Sequence, residues 1–582
     1  MMTFFHVHPE PPLHAKSTTL HALMLASLTM SMSAHAAPVA ASGRTIFQNN
    51  CASCHTVDSK MTPLAGPGLF GVVDRKAAAV PGFNYSAALT KAGAAGTSWS
   101  RAELDVFLLD PAKRVPGTTM PVGLPDKNTR SALIAYLATL QGATTQAATP
   151  AKAAAPDEGG ADRANAWDQH QPGQLHHVKL ADLPPPFATP SAGNGPRVQA
   201  RPNGSIPLVM PGFEVSVFAR DDDKPRLPLR APNGDIFLSA TSAGSIKVLR
   251  SKDGVKAASA EVFASGLERP YGMAFWPSGA NPQYLYVAGV NSVVRIPYRN
   301  GDLKARGKVE TVVPELSDTS GGHTTRTLAF SKDGKSMLLS IGSATNVATD
   351  IGPKPPQPLA QWERAHGVGG AWGVETDRAT VMAFDPDGNN RRTYATGLRN
   401  CVGMLVYPAT GDVMCNVNER DGLGDNLPPD YVTRVKQGGF YGWPWYYLGD
   451  NEDPRQKGVR PDLKGKTIAP DVLLQAHSAP LGMAVYHAPK GARNAFAPEY
   501  EGDLFVALHG SWNRGVRTGY KVVRVFMKNG APTGQYQDFM TGMVLNDRDV
   551  WGRPSGVEVA QDGALLVVDD AGGVVWRVAP KR

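Results

Sequence analysis

The sequence predicts a multidomain chain, an all-α domain followed by an all-β six-bladed β-propeller. Two observations predict the folds and a third sets the boundary. Up to about residue 141 the apolar residues recur at helical spacing. Beyond about residue 171 they fall into short runs separated by Asp-Gly, Asn-Gly and Thr-Gly pairs. Between these, residues 142–170 are rich in Ala, Pro, Gln and Gly, and they carry too few large apolar groups to offset their ordering entropy. The expected division is a leader over 1–36, a helical domain over 40–141, a linker over 142–170 and a propeller over 171–582. With 582 residues the chain exceeds one typical domain, and 61 glycines with 48 prolines favour turns and short strands.

In the leader, Lys16 precedes the apolar stretch Leu20–Met32 and the small-residue site Ala34-His35-Ala36. That is the pattern of a signal peptide cleaved after Ala36, and it predicts a periplasmic protein. The segment before it is long for a signal, which leaves an internal start codon open. No apolar run reaches the ~18 residues a bilayer span needs, so no transmembrane segment is expected. The helical domain is read as a short helix over Gly43–Asn50, then Arg101–Leu109 and Thr129–Leu140. The last carries Leu133, Ile134, Leu137 and Leu140 on one face, the spacing of a buried stripe.

The propeller reading rests on a unit that recurs six times: an apolar strand, a tight turn and a second apolar strand. The units are Arg230–Leu238; Gly272–Phe275 with Tyr284–Val287; Leu328–Gly334 with Met337–Ser340; Gly403–Val406 with Asp412–Cys415; Gly482–Val485 with Asp503–Val506; and Gly556–Gly563 with Leu565–Val568. The Asp-Gly and Asn-Gly pairs supply the positive φ angles of hairpin turns. Six such units leave room for about four strands each, the architecture of a propeller.

Chemistry enters at Cys51-Ala52-Ser53-Cys54-His55, the C-x-x-C-H pattern of covalent c-type haem attachment. The thiolates of Cys51 and Cys54 form the thioethers, and His55 ligates iron. Further on, Val115–Pro121 offers the thioether of Met120 for the other axial face; His/Met ligation suits electron transfer. These motifs resemble class I cytochrome c of the mitochondrial type over residues 43–140. The resemblance implies that the Pro67 carbonyl, in Gly66–Gly71, accepts the Nδ1 proton of His55. It also implies that Arg75, Tyr85 and Trp99 serve the haem propionates.

In the second domain, Gly321–Leu328, Gly397–Asn400, Asn418–Asn426, Gln437–Pro444, His509–Arg514 and Gly552–Gly556 resemble loops of the PQQ-dependent sugar dehydrogenases. The likeness is nearest to the sorbosone dehydrogenase type and more distant to soluble quinoprotein glucose dehydrogenase. It implies that His323 is the catalytic base and that Arg399 and Asn400 contact the quinone. It implies that Arg553 binds a cofactor carboxylate, with Arg514 or Arg326 as a further guanidinium. It implies that the loop holding Asp421 and Gly422 binds calcium. The residue types suit that chemistry: a tricarboxylate needs guanidiniums for bidentate pairing, calcium needs oxygen ligands, and a hydroxyl proton needs a base. Three positions depart from the glucose dehydrogenase pattern. Gly322 stands where an aspartate orients the base, no glutamine lies near Leu267–Tyr271, and the lysine over the cofactor is absent, with His509 or Arg514 nearest.

The implied protein is a quinohaemoprotein oxidoreductase using haem c, PQQ and calcium. It would oxidise a small sugar or sugar aldehyde and pass electrons to a downstream respiratory cytochrome or oxidase. Two other readings compete: a non-catalytic sugar-binding propeller tethered to a cytochrome, and a hydrolase of the six-bladed lactonase type. The second lacks its ordered set of carboxylate and asparagine ligands. The net charge of +8 is interspersed along the chain, which reads as a solvated surface rather than a nucleic-acid interface. The remaining cysteines, Cys401 and Cys415, flank the turn Pro408–Gly411. An oxidising compartment favours a bridge between them, and two buried thiols are the alternative.

Overall fold

In the computed structural model the chain separates into two compact units, Met1–Gln146 and Ala147–Arg582. The residues described are 43, 46–47, 51, 55–57, 59, 61 and most of 66–140 in the first unit, and 166–317, 322–348 and 351–582 in the second. The leader, Cys54 and most of the expected linker lie outside them. Among the described residues no helix is long and apolar enough to cross a membrane.

The first unit is helical. Arg101–Leu109 begins at Ser100, whose hydroxyl accepts from the Glu103 amide; Lys127–Ala138 begins at Asp126, whose carboxylate accepts from the Thr129 amide. Each cap satisfies an amide the helix leaves open. Leu133, Ile134 and Leu137 are buried against Leu104, Phe107 and Leu108. Arg130 ties the two helices, donating from Nε to Asp105 at 2.8 Å and from Nη1 to the Leu124 carbonyl at 2.8 Å. Of the expected first helix, Gly43, Ile46 and Phe47 are described, and all are helical. A Cβ at Gly43 would lie 2.0 Å from the Ala132 carbonyl oxygen, so glycine permits the close crossing of the first and last helices.

The second unit is the six-bladed propeller. Each sequence hairpin forms the inner two strands of a blade. Blade one runs Leu227–Arg230, Ile236–Ala240, Ser245–Ser251 and Ala257–Ala264. Blade two runs Met273–Trp276, Tyr284–Ala288, Val293–Pro297 and Glu310–Val313, and blade three Leu328–Phe330, Met337–Ile341, Thr380–Phe384 and Arg392–Thr396. Blade four runs Cys401–Val406, Val413–Val417, Pro429–Val435 and Val472–Ala476, and blade five Pro480–Val485, Leu504–Leu508, Lys521–Lys528 and Ala531–Thr541. Blade six takes Pro554–Val559, Leu565–Asp569 and Val574–Pro580 from the C-terminus and its outer strand, Phe213–Arg220, from far upstream. That closure leaves the ring without a gap.

Inner strands of neighbouring blades pack side by side. On the axis Leu227, Tyr271, Val402 and Leu481, from blades one, two, four and five, form one buried cluster. Cys401 and Cys415 are bridged, with Cα atoms 5.8 Å apart. Two features were not expected. Blade three carries a long insertion with the helix Leu359–His366. The end of the expected linker is ordered: Ala166 is buried, Trp167–Gln169 form a short 3-10 turn, and Trp167 Nε1 donates to Asp547 at 2.8 Å. Residues 166–170 therefore belong to the propeller unit. A polar composition does not prevent order where blade five supplies the partners.

Candidate active site

In the first unit, His55 Nδ1 lies 2.7 Å from the Pro67 carbonyl oxygen. A carbonyl only accepts, so Nδ1 carries the proton and Nε2 keeps its lone pair for a metal. Burial lowers the His55 pKa, which favours that neutral form. Gly66 lies flat against the ring, where a Cβ would sit 2.3 Å from His55 Cε1. Cys51 is buried in the same core, and Met120 packs against its edge. This donor set fits a haem c. Arg75 is held by the Gly66–Gly71 loop, donating to the Gly68 carbonyl at 2.7 Å and the Phe70 carbonyl at 2.9 Å. Trp99 is buried against Phe107, and the Tyr85 hydroxyl accepts from the Val80 amide at 3.2 Å. Arg75 and Tyr85 thus brace their loops through backbone groups, and Trp99 packs on the helix Arg101–Leu109.

In the propeller, the segments that enter the first strand of a blade and leave its second strand meet at one end, because the two strands are antiparallel. His323 and Arg326 enter blade three; Ser343 and Asn346 leave its second strand. Arg399 and Asn400 enter blade four; Asn418–Asp421 leave its second strand. His477 enters blade five, and His509–Arg514 leave its second strand. Arg553 enters blade six. The expected site residues of the propeller thus share one mouth.

His323 is the centre of the blade-three side. Its Nδ1 faces two oxygens of Ser343, the carbonyl at 2.9 Å and the hydroxyl at 3.0 Å. The Ser343 hydroxyl donates its own proton to the Thr345 carbonyl at 2.7 Å. Nδ1 therefore carries hydrogen, and Nε2 is the basic atom. Burial holds the His323 pKa well below the usual range, and the neighbouring Arg399, Arg378 and Arg326 push it the same way.

The loss of the aspartate before the base also has a physical cause. Gly322 has φ of +70°, and a Cβ there would lie 2.2 Å from the Ala344 carbonyl oxygen, so no larger residue fits. Ser343 takes over the orienting contact. Arg378 holds the same turn, donating to the Gly342 carbonyl at 2.6 Å and the Ser343 carbonyl at 3.1 Å. Glu375 holds it from the other side by accepting from the Ala344 and Thr345 amides.

Arg399 is buried and fixed by carbonyls. Nη1 donates to Glu419 O at 2.7 Å, Nε to Asn346 O at 3.2 Å, and Nη2 to Asn346 Oδ1 at 2.9 Å. Asn400 sits behind it; its Oδ1 is buried without a hydrogen-bond partner and abuts Gly342, where a Cβ would lie 2.4 Å away. Arg326 is also buried, with Nε and Nη2 unpartnered, and burial pushes it down to about 9. Arg514 donates to Asn426 Oδ1 at 2.7 Å. Arg553 donates to the carbonyls of His509 at 3.1 Å and Gly510 at 3.3 Å, and its guanidinium lies over the Tyr520 ring. Several buried guanidiniums around one mouth fit a planar polycarboxylate.

Asp421 and Gly422, expected to hold calcium, lie in the loop that leaves the second strand of blade four. Asp421 accepts from Asn513 Nδ2, its Oδ2 faces Arg399 Nη2 at 3.4 Å, and His477 Nδ1 is 3.9 Å away. Side-chain donors thus approach both oxygens of Asp421. Among the described residues no three His, Cys, Asp or Glu side chains gather as metal ligands. Sequence reasoning missed Ser343, Asn346, Arg378 and Glu375, because folding alone brings them to their partners and none belongs to a recognisable motif.

Fold and site together define a two-part redox protein, a c-type cytochrome domain followed by a propeller with a guanidinium-lined mouth. Residues 40–141 match the cytochrome c family, and residues 207–430 and 460–581 match the TrAA12-like family. The chain belongs to the TrAA12-like family. Cytochrome c type-1 of Ascaris suum is 44% identical over 97 residues, 16% of this chain and 83% of that protein. An uncharacterized protein of Borreliella burgdorferi is 26% identical over 382 residues, 63% of this chain and 89% of that one. The holo form of the pyranose dehydrogenase PQQ domain from Coprinopsis cinerea superposes with a TM-score of 0.52 at 21% identity, over 66% of this chain and 99% of that domain.

Proposed function

We propose that this protein is a periplasmic quinohaemoprotein dehydrogenase that oxidises an aldose or sugar aldehyde with PQQ and relays the electrons to its own c-type haem. The observation that carries the reading is His323, whose tautomer presents a basic Nε2 beside the buried Arg399 and Asn400. PQQ, when bound, supplies a quinone that accepts hydride, and haem supplies a one-electron relay. The residues do the rest. Arg399 and Arg553 would pair with carboxylate or quinone oxygens, and Asn400 would contact the quinone beside Arg399. His323 takes the proton from the substrate's anomeric hydroxyl at Nε2, and Ser343 holds the ring so that the lone pair points into the mouth. Joining both functions in one chain replaces a diffusional encounter with a high effective concentration. Export is supported by the Ala34-His35-Ala36 pattern and by the Cys401–Cys415 bridge, which suits an oxidising compartment.

The test is a titration of the haem-loaded, PQQ-free protein with PQQ, followed by stopped-flow reduction with aldoses. His323→Ala should slow the reductive step by roughly 10²–10⁴-fold while leaving PQQ affinity and the haem spectrum intact. Full rates in that variant would move the base elsewhere. Failure of the wild type to bind PQQ would leave the non-catalytic sugar-binding propeller in its place.

A further inference from the structure

Two chain segments laid along the outer edge of blade five leave a cleft between them, and no step above uses it. One is residues 166–176, whose Leu175 and His176 pair with Gln537 and Tyr536. The other runs through Leu208 and Val209, which pair with Thr541 and Met540. The Trp167 amide pins the first segment further, donating to the Arg517 carbonyl at 2.9 Å, and the Gly173 amide donates to the Asp538 carbonyl at 2.7 Å. The cleft has a volume of about 510 Å³, the size of a small-molecule site, and backbone bonds fix its walls in advance. Trp167, Asp168 and Gln171 line one side, Leu208 and Pro211 the other, and Tyr520 and Val544 complete it. Tyr520 is the wall toward the cofactor arginine. Its φ is +55°, which a bulky side chain adopts only under constraint. Its hydroxyl accepts from Arg517 Nη1 at 2.8 Å and donates to the Ser511 carbonyl at 2.5 Å. A Cβ on Gly510 would lie 2.3 Å from the Tyr520 ring, so that ring is packed tight on the side away from the cleft.

The lining says what the cleft takes. Among the described residues no lysine or arginine lines it, and its titratable groups are Asp168 and His170. The charges behind the walls are committed elsewhere. Arg517 donates from Nη1 to the Asn194 and Ser511 carbonyls and from Nη2 to the Gly195 and Arg548 carbonyls. Asp547 accepts from Trp167 Nε1, and Lys521 and Asp538 pair with each other at 2.7 Å. An anion would therefore meet a carboxylate and no cation. A cation would find no open aromatic cage, because the Tyr520 ring already faces the guanidiniums of Arg517 and Arg553 at 5.6 and 5.7 Å. A neutral hydroxylated ring suits the lining best. The Asp168 carboxylate can accept several hydroxyl protons, and the Gln171 amide both donates and accepts. The indole of Trp167 and the apolar faces of Leu208, Pro211 and Val544 can cover the C–H face of a sugar.

We propose that this cleft binds a neutral saccharide, as a non-catalytic site separate from the mouth. The proposal uses neither PQQ nor His323, so it stands or falls apart from the dehydrogenase reading.

The experiment uses the full-length, haem-loaded, PQQ-free protein and its variants Asp168→Ala, Gln171→Ala and Val544→Trp, with thermal melting as the check on folding. Methyl glucoside, methyl galactoside, glucuronate and choline are each titrated by calorimetry. The methyl glycosides lack the free anomeric hydroxyl on which the proposed oxidation acts, so they report binding without turnover. At least one glycoside should bind the wild type more tightly than glucuronate or choline. Loss of a charge-assisted hydrogen bond in Asp168→Ala predicts about 10- to 100-fold weaker glycoside binding. Gln171→Ala, which removes a neutral bond, should weaken it about threefold to tenfold, and Val544→Trp, which fills the cleft, should abolish it. PQQ affinity, titrated separately, should match the wild type in all three variants. Wild-type glycoside affinity in the folded variants overturns the proposal. So does a wild type that binds neither glycoside, or that prefers choline or glucuronate. Loss of PQQ affinity in the same folded variants overturns the separation from the mouth. A wild type that binds a glycoside in the cleft but no PQQ supports this proposal and overturns the dehydrogenase reading alone.

Discussion

Replacing Asn346 with alanine should loosen the cofactor arginine without touching it. Asn346 Oδ1 accepts from Arg399 Nη2 at 2.9 Å and from the Asp421 amide at 2.9 Å, and Nδ2 donates to the Asp421 carbonyl at 3.1 Å. Truncation removes one charge-assisted hydrogen bond, worth about 1.5–3 kcal/mol, and two neutral ones of about 1 kcal/mol each. Arg399 Nη1 keeps its bond to the Glu419 carbonyl at 2.7 Å, so half the guanidinium stays fixed. Only the charge-assisted share bears on pre-organisation for the ligand, which predicts PQQ binding about 10- to 100-fold weaker. The neutral share should appear as a lower melting temperature of the propeller. Trp443 provides the assay, because its Nε1 donates to the Asn346 main-chain carbonyl at 3.0 Å, a contact the substitution leaves in place. Fluorescence quenching on PQQ addition to the variant gives the affinity. Asn346→Asp, which keeps the acceptor for Arg399 but sets an oxygen against the Asp421 carbonyl, should recover part of the loss. Parental PQQ affinity in a folded Asn346→Ala protein would refute the reasoning.

Three further outcomes are expected. A base whose pKa lies well below the usual 6.5 stays neutral as pH falls through that value, so the acid limb of the reductive step should lie below pH 6.5. Between the two pKa values only the unfolded chain binds the proton, so His323 should also cost stability as pH falls below 6.5; a rate profile with its acid limb at or above 6.5 would contradict both. Gly66→Ala would drive a Cβ to 2.6 Å from His55 Nδ1, and should abolish the low-spin His-ligated spectrum while covalent haem persists; an unchanged spectrum would refute the placement. Alkylation of the denatured, unreduced protein should leave Cys401 and Cys415 unmodified, and peptide mapping that finds both labelled would remove the bridge.

Much of the fold was written locally. Each blade's inner hairpin announces itself by two apolar runs around a glycine-containing turn, an Asn-Gly or Asp-Gly pair in blades one, three and six, and all six form. The outer strand of blade six was not legible, because Phe213–Arg220 pairs with residues at the other end of the chain and no local pattern names a distant partner. The site divides the same way. His323, Arg399 and Arg553 stand in recognisable loops. Ser343 and Asn346 do not, since their work is done on backbone carbonyls, an imidazole and a guanidinium brought close only by folding. The surroundings of Asp421 were not legible for a related reason. The sequence shows an acidic, glycine-rich loop, and only folding brings Arg399 and Asn513 to its carboxylate.

The pairing of Phe213–Arg220 with Val574–Pro580 also orders events in time. During synthesis the propeller cannot close until nearly the last residue has emerged, because the strand that completes blade six waits from the start of the ring for partners made at its end. Closure is a contact between residues as far apart as Phe213 and Pro580, the non-local kind that folds slowly. The helical unit, whose contacts are local, has no such wait, so haem attachment to Cys51 and Cys54 can be complete while the ring is still open. A chain cut short by even its final strand would carry a mature cytochrome joined to an unclosed ring with exposed strand edges, an aggregation-prone species.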